Sequence, residues 1–254
     1  TSRAQDSKSI ILAVSPQGDS DGSIQPYPAD QAIADSLTAW GHSVTFIDAG
    51  SISPALAGDH DLILLSSTSS YSASLDYRDL QIPVISWNAP GFNRMRITRR
   101  GETTDNQTEL TITDESHPAA AGLSGTLQVV DAPSTFTHSE VPDGARIVAS
   151  LAGQPEQAAI FCYDKGDGMY NMPAPAKRAG IFLAEETALA LNSNGAALIK
   201  GVIDWALKPS PGDTLAPPAP ERLQAREIRH NEVDLYWRPV DDKSGIAWYE
   251  IFVD

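Results

Sequence analysis

Ile10-Ile11-Leu12-Ala13-Val14 decides the fold, because five consecutive apolar residues leave no face of the segment for solvent. Three further runs repeat the pattern: Val44-Thr45-Phe46-Ile47, Leu62-Ile63-Leu64-Leu65 and Val84-Ile85-Ser86-Trp87. Strands of this kind are buried on both faces, which calls for a parallel sheet covered by helices. Between the first two runs, Ile33, Leu37 and Trp40 recur at helical spacing. Pro28 and Asp30 suit a first turn and Gly41 a stop, so a helix is expected there.

The pattern changes downstream. Leu110-Thr-Ile112, Leu127-x-Val129 and Ile147-x-Ala149-x-Leu151 alternate, as strands of a half-exposed or antiparallel region do. Residues 158–163 and 180–183 return to buried-strand character. Residues 194–207 then read as a helix, with Leu198, Val202 and Trp205 on one stripe and Pro209 past the end. The expected fold of residues 1–208 is therefore α/β, a flavodoxin-like three-layer sandwich with a mostly parallel sheet. Residues 209–220 contain Pro209, Pro211, Pro217, Pro218 and Pro220 and read as a semi-rigid linker. Beyond it, residues 221–254 read as all-β: one strand starts at Leu223, Val233, Leu235 and Trp237 alternate along a second, and 248–253 form a third after a turn at 241–245.

Composition bounds the partners. With 41% hydrophobic and 20% charged residues the chain has the apolar content of a globular protein, and its net charge of −15 argues against nucleic acid and anionic membranes, both of which demand a basic footprint. No run of eighteen apolar residues offers a membrane span. The single cysteine, Cys162, lies within Ala159-Ile160-Phe161-Cys162-Tyr163 and reads as a small core hydrophobe, and alone it forms no internal disulfide. The chain opens at Thr1 without an initiator methionine or signal-peptide core, as expected if a leader or upstream module has been removed.

Two resemblances sharpen these expectations. The order of elements in residues 10–207, with Asp114-Glu115-Ser116-His117-Pro118-Ala119-Ala120-Ala121-Gly122-Leu123 after a strand, resembles the class I glutamine amidotransferase-like superfamily and, within it, the ThuA-like secreted branches. Lys177-Arg178-Ala179-Gly180-Ile181-Phe182-Leu183, followed by the helix of 194–207, resembles domains of multi-modular secreted bacterial proteins. Residues 213–220, Leu235-x-Trp237 and Asp242-x-x-Gly245-Ile246-x-x-Tyr249-Glu250-Ile251 resemble the opening of a bacterial fibronectin type III domain, whose full sandwich needs about 100 residues. Together they imply a secreted or cell-surface modular protein.

The superfamily resemblance implies a cysteine nucleophile on a sharp strand-to-helix turn. Here the strand of 84–87 runs into Asn88-Ala89-Pro90-Gly91, with neither cysteine nor serine at the turn and no histidine-x-glutamate partner, so no catalytic residue is assigned. The loop after the first strand lacks G-x-G-x-x-G, and Asp19 and Asp21 would repel a phosphate. The same aspartates, with Asp30 nearby, are candidate Ca²⁺ ligands, although the loop falls short of an EF-hand ligand set. No cofactor is otherwise expected. The five histidines show no metal-ligand spacing, and His117, before a proline, reads as the cap of a short helix. Asn106-Gln107-Thr108 matches a glycosylation sequon, which a bacterial source would leave idle.

An open parallel sheet binds ligands beyond the carboxyl ends of its strands. Those ends carry Gln17 and Asp19, then Ser67, Thr68 and Tyr71, then Trp87 and Asn88. Hydroxyls, an amide and two aromatic faces suit sugars. The alternative is a serine-rich loop with Trp87 inside the core. Arg94 and Arg96, on one side of an expected strand, form a candidate anionic-ligand patch within a cluster that includes Arg99 and Arg100, the alternative being a charged edge strand. Glu185-Glu186 reads as a solvated loop or helix start. The preferred function is a non-catalytic accessory module for carbohydrate binding, adhesion or spacing, whose partners are polysaccharide or neighbouring modules. The alternatives are a polysaccharide hydrolase and a structural repeat.

Overall fold

Ile10 through Val14 are each 0% exposed, and their side chains divide between two cores: Ile10, Leu12 and Val14 enter one, Ile11 and Ala13 the other. Leu62 and Leu64 against Ile63 and Leu65 split in the same way. That is the physical meaning of an unbroken apolar run: successive side chains point to opposite faces, and both faces are covered. The structure is a computed structural model and describes residues 7–17, 24–209, 221–229 and 232–238. The chain divides into two units, Thr1–Lys208 and Pro209–Asp254.

The first unit contains strands β1 (Ser9–Val14), β2 (Ser43–Asp48), β3 (Leu62–Leu65), β4 (Val84–Ser86), β5 (Glu102–Gln107), β6 (Glu109–Ile112), β7 (Thr126–Gln128), β8 (Ser134–His138), β9 (Arg146–Leu151), β10 (Gln154–Tyr163), β11 (Gly168–Met169), β12 (Met172–Pro173) and β13 (Arg178–Gly180). Its helices are α1 (Pro28–Ala39), α2 (Pro54–Gly58) and α3 (Ser193–Leu207). Nine strands form one mixed sheet in the order β2-β1-β3-β4-β13-β10-β9-β6-β7. Pairing is parallel from β2 through β13 and antiparallel from β13 to β7, so only β10 and β6 run against the rest. β5 and β8 form a separate antiparallel ribbon.

Each face has a different cover. α1 and α3 bury Ile33, Leu37, Leu198, Val202 and Trp205 in the first core. The expected helix of 28–39 and the stripe on α3 are both present. Among the described residues no long helix covers the second core. It is closed by α2, by short helical turns and by the plugs Tyr77, Phe92, Met95 and Ile97, with the Tyr77 hydroxyl donating to the Ala49 carbonyl at 2.7 Å.

Three expectations are corrected. β9 alternates in sequence, yet Val148, Ala149, Ser150 and Leu151 are all 0% exposed, since the strand lies inside the sheet between β10 and β6. Of residues 180–183, only Gly180 belongs to a strand. Residues 93–100 form turns and bends, not a strand. Met95 and Ile97 donate backward to Gly91 and Phe92, and Arg96 turns the chain at φ 58, so Arg94 and Arg96 do not share a strand face.

Two buried cations tie the layers together. Arg178, 0% exposed, donates to the carbonyls of Ile82, Lys177, Arg78 and Leu80, fixing the segment that leads into β4. Lys177 donates to the carbonyls of Trp205 and Lys208 at 2.7 Å each, capping the C-terminus of α3. In the second unit, β14 (Glu221–Arg229) and β15 (Glu232–Arg238) form an antiparallel hairpin. Leu235 and Tyr236 are exposed and Trp237 is half-buried. The expected third strand at 248–253 and most of the linker lie outside the described residues.

Candidate functional site

The chain leaves β1 for β2 on one side, then returns to β3 on the other, so strand order reverses between β1 and β3. Such a reversal splays the connecting loops and opens a crevice at the carboxyl ends. The loops are stitched by polar contacts: the Ser66 amide donates to the Ala13 carbonyl at 3.0 Å, and the Ser15 amide to Thr68 Oγ1 at 3.2 Å. Beneath them, Asp30 in the first turn of α1 accepts from Ser66 Oγ at 2.5 Å and Thr68 Oγ1 at 3.1 Å. Burial raises the Asp30 pKa, and these two hydroxyl bonds pull it partly back.

Two clefts open at this end of the sheet. One, of about 470 Å³, lies between the turn after β4, with Trp87, Ala89 and Pro90, and the β5–β8 ribbon, with Thr103, Ser134, Thr135 and Thr137. The other, of about 380 Å³, is walled by Tyr27, Pro28 and Ala29 at the start of α1, by Thr68 and by Leu189. Ser67, Glu185 and Glu186 line both.

Hydroxyls dominate the first wall because of register. Thr103 pairs with Thr137 across the ribbon, and Thr135, two residues before Thr137, shares its face. Phe136 and His138 take the opposite face, where His138 Nε2 meets Thr104 Oγ1 at 2.8 Å and Nδ1 meets Gln157 Oε1 at 2.6 Å. Thr137 is 1% exposed, and among the described residues its Oγ1 has no hydrogen-bond partner; neither does the buried Oγ of Ser67. Unpaired buried hydroxyls are costly and uncommon, and here both belong to residues that line a cleft. The exposed Glu185-Glu186 pair at the rim sits on an anchored turn: Thr187 Oγ1 donates to the Thr135 carbonyl at 2.6 Å and accepts from the Ala184 amide at 3.2 Å.

The residues expected from sequence scatter around this site. Ser67, Thr68 and Trp87 line the clefts, although Trp87 is only 3% exposed and packs mainly into the first core. Asn88 is 1% exposed and structural: its amide donates to the Ser69 carbonyl at 2.6 Å and its oxygen accepts from the Gly91 amide at 3.1 Å. Gly91 is required there, since a Cβ would collide with Ser74. Gln17 is exposed, pairs with Gln25 and lies outside both linings. Tyr71 is exposed under the Arg94 guanidinium, 4.5 Å from its ring centroid. Arg96 also lies outside the clefts, and its carbonyl accepts from the Tyr170 amide. Asp19 and Asp21 lie outside the described residues. Among the described residues no group of three or more His, Cys, Asp or Glu side chains is arranged to hold a metal ion.

Sequence reading missed the β5–β8 hydroxyls, Glu185-Glu186 as a rim, Tyr27 and Leu189. Alternation in Ser134-Thr135-Phe136-Thr137-His138 was the available signal, since placing Phe136 in the core puts Thr135 and Thr137 on the other face. His117 caps the turn Pro118–Ala120 as expected, its Nδ1 accepting from the Ala119 amide at 3.2 Å. Cys162 is 1% exposed, and burial pushes its thiol pKa far up, which suits a core residue and not a nucleophile.

No protein-family model matches the chain, and no curated protein sequence matches it. Among solved structures, the fold is similar to that of a protein from Bacteroides uniformis described as ThuA-like, with a TM-score of 0.54 and 9% identity over 81% of this chain and 94% of that one. The likeness extends to the fold.

Proposed function

We propose that the first unit is a non-catalytic, amidotransferase-like module that binds carbohydrate at the carboxyl ends of its parallel strands. In this reading it belongs to a secreted or cell-surface bacterial protein and is followed by a fibronectin type III-like module. The observation that carries the proposal is the pair of unpartnered buried hydroxyls, Ser67 Oγ and Thr137 Oγ1, in the lining of a hydroxyl-rich cleft. A sugar, with many donors and acceptors and apolar ring faces, satisfies such hydroxyls and rests on Pro90, Pro133 and the edge of Trp87.

The absent nucleophile at Asn88-Ala89-Pro90-Gly91 and the burial of Cys162 support binding over acyl transfer. A hydrolase is the second reading, favoured by Glu185 and Glu186. Adjacent residues on one rim are poorly disposed to flank a glycosidic bond, as an acid and base pair must. A glycan array probed with the whole chain and with Thr137→Val, beside an assay for reducing-sugar release, separates the readings. Binding that weakens in the variant without sugar release supports the module. Turnover by the wild type, or failure of every glycan to bind, overturns it.

A further inference from the structure

Ser67, Glu185 and Glu186 line both clefts, which places the two side by side. A single-ring ligand would occupy one lobe and leave the other without purpose. The second lobe also gathers large apolar surface that the core does not need: Tyr27 is 43% exposed and Leu189 is 56% exposed, and both wall it. Among the other described residues of the first unit the exposed large apolar side chains are Tyr71, which stacks under Arg94, and Leu75. An aromatic ring left open to solvent beside polar groups is a platform on which a pyranose face can stack.

The junction has a sign. Neither Glu185 nor Glu186 belongs to an ion pair among the described residues, and no lysine, arginine or histidine lines either lobe. An ionised carboxylate only accepts hydrogen bonds, so the junction receives ligand hydroxyls or ammonium groups and repels ligand carboxylates. Thr137, which lines the first lobe and whose Oγ1 is unpartnered among the described residues, marks a second contact point for the ligand there.

We infer that the ligand is a linear oligosaccharide of at least two rings, neutral or amine-bearing, which spans both lobes with its donors on Glu185 and Glu186 and one ring face on Tyr27. The inference rests on the carbohydrate reading and goes further by fixing the length and charge of the ligand.

The test is calorimetric titration of the whole chain with linear oligomers of glucose, of glucosamine and of galacturonic acid, each from one to six rings. Affinity for the first two series should rise at least about tenfold between one ring and three, as a second lobe engages. Tyr27→Ala should erase that gain, so that affinity in the variant no longer rises between one ring and three. Glu185→Gln with Glu186→Gln should weaken the glucosamine series most. Affinity independent of length confines the ligand to one lobe and overturns the inference while the carbohydrate reading stands. Tighter binding of the galacturonate series than of the other two overturns the charge assignment. If no oligomer of any series binds the folded chain, the carbohydrate reading itself fails.

Discussion

Thr137→Val separates a hydroxyl kept for a ligand from one kept for the fold. Thr137 Oγ1 is buried without a partner, while the Thr137 amide donates to the Phe182 carbonyl at 2.9 Å and holds the backbone regardless of the side chain. Valine keeps the shape and the β-branch that suits a strand. A buried hydroxyl without a partner costs about 1–3 kcal/mol, so its removal should stabilise the ligand-free first unit by about 1 kcal/mol. For a domain of this size that raises the Tm by roughly 2–4 °C. Urea unfolding followed by circular dichroism measures the change, with the m-value reporting whether the unfolding reaction itself is altered. Thr98→Val is the control: Thr98 Oγ1 is likewise buried and unpartnered but lies outside both clefts, so its replacement should stabilise without touching ligand binding. Loss of about 1 kcal/mol or more in Thr137→Val, at unchanged m, would mean that the hydroxyl holds the fold together and would refute the reasoning.

Other expectations follow from the buried charges. Arg178→Met strips four carbonyls of a charged donor and should cost about 3–5 kcal/mol, read as a lower urea midpoint. His42 is 5% exposed with neither ring nitrogen bonded, and burial lowers its pKa below 6.5, so the unfolded chain takes up the proton first. Stability is therefore full above about pH 6.5 and lost as the pH falls from there through the folded value, and His42→Phe should flatten that part of the melting-temperature profile. Asp30 has the opposite sign: its raised pKa lets the folded chain hold a proton that the unfolded chain has released, so stability falls as pH rises from 3.8 through the folded value. Asp30→Asn keeps an acceptor for Ser66, should change stability near neutrality by less than about 1 kcal/mol, and should remove that acid-side slope.

The parallel half of the sheet was legible because burial on both faces writes itself as unbroken runs such as 10–14 and 62–65. The helix of 28–39 was legible because Ile33 and Leu37 share one apolar stripe. The second cover was not, since Tyr77, Phe92, Met95 and Ile97 plug the core from turns that carry no periodicity, and for the same reason 93–100 resembled a strand. Of the residues named from the strand ends, Ser67, Thr68 and Trp87 line the clefts. Asn88 and Tyr71, named with them, lie outside the cleft linings: the Asn88 amide caps a turn, and Tyr71 lies under Arg94. The β5–β8 wall comes from Thr103 and from residues 134–137, further along the chain than the β4 turn, and the register Thr103↔Thr137 that joins them is not written in local sequence.

The most direct measurement is amide chemical-shift mapping of the whole chain during titration with a neutral linear oligosaccharide. Saturable shifts centred on Ser67, Thr137, Glu185 and Glu186, reaching Tyr27 as the oligomer lengthens, are the predicted result. Saturable shifts centred elsewhere, or none with the fold intact, would contradict a binding cleft at the strand ends.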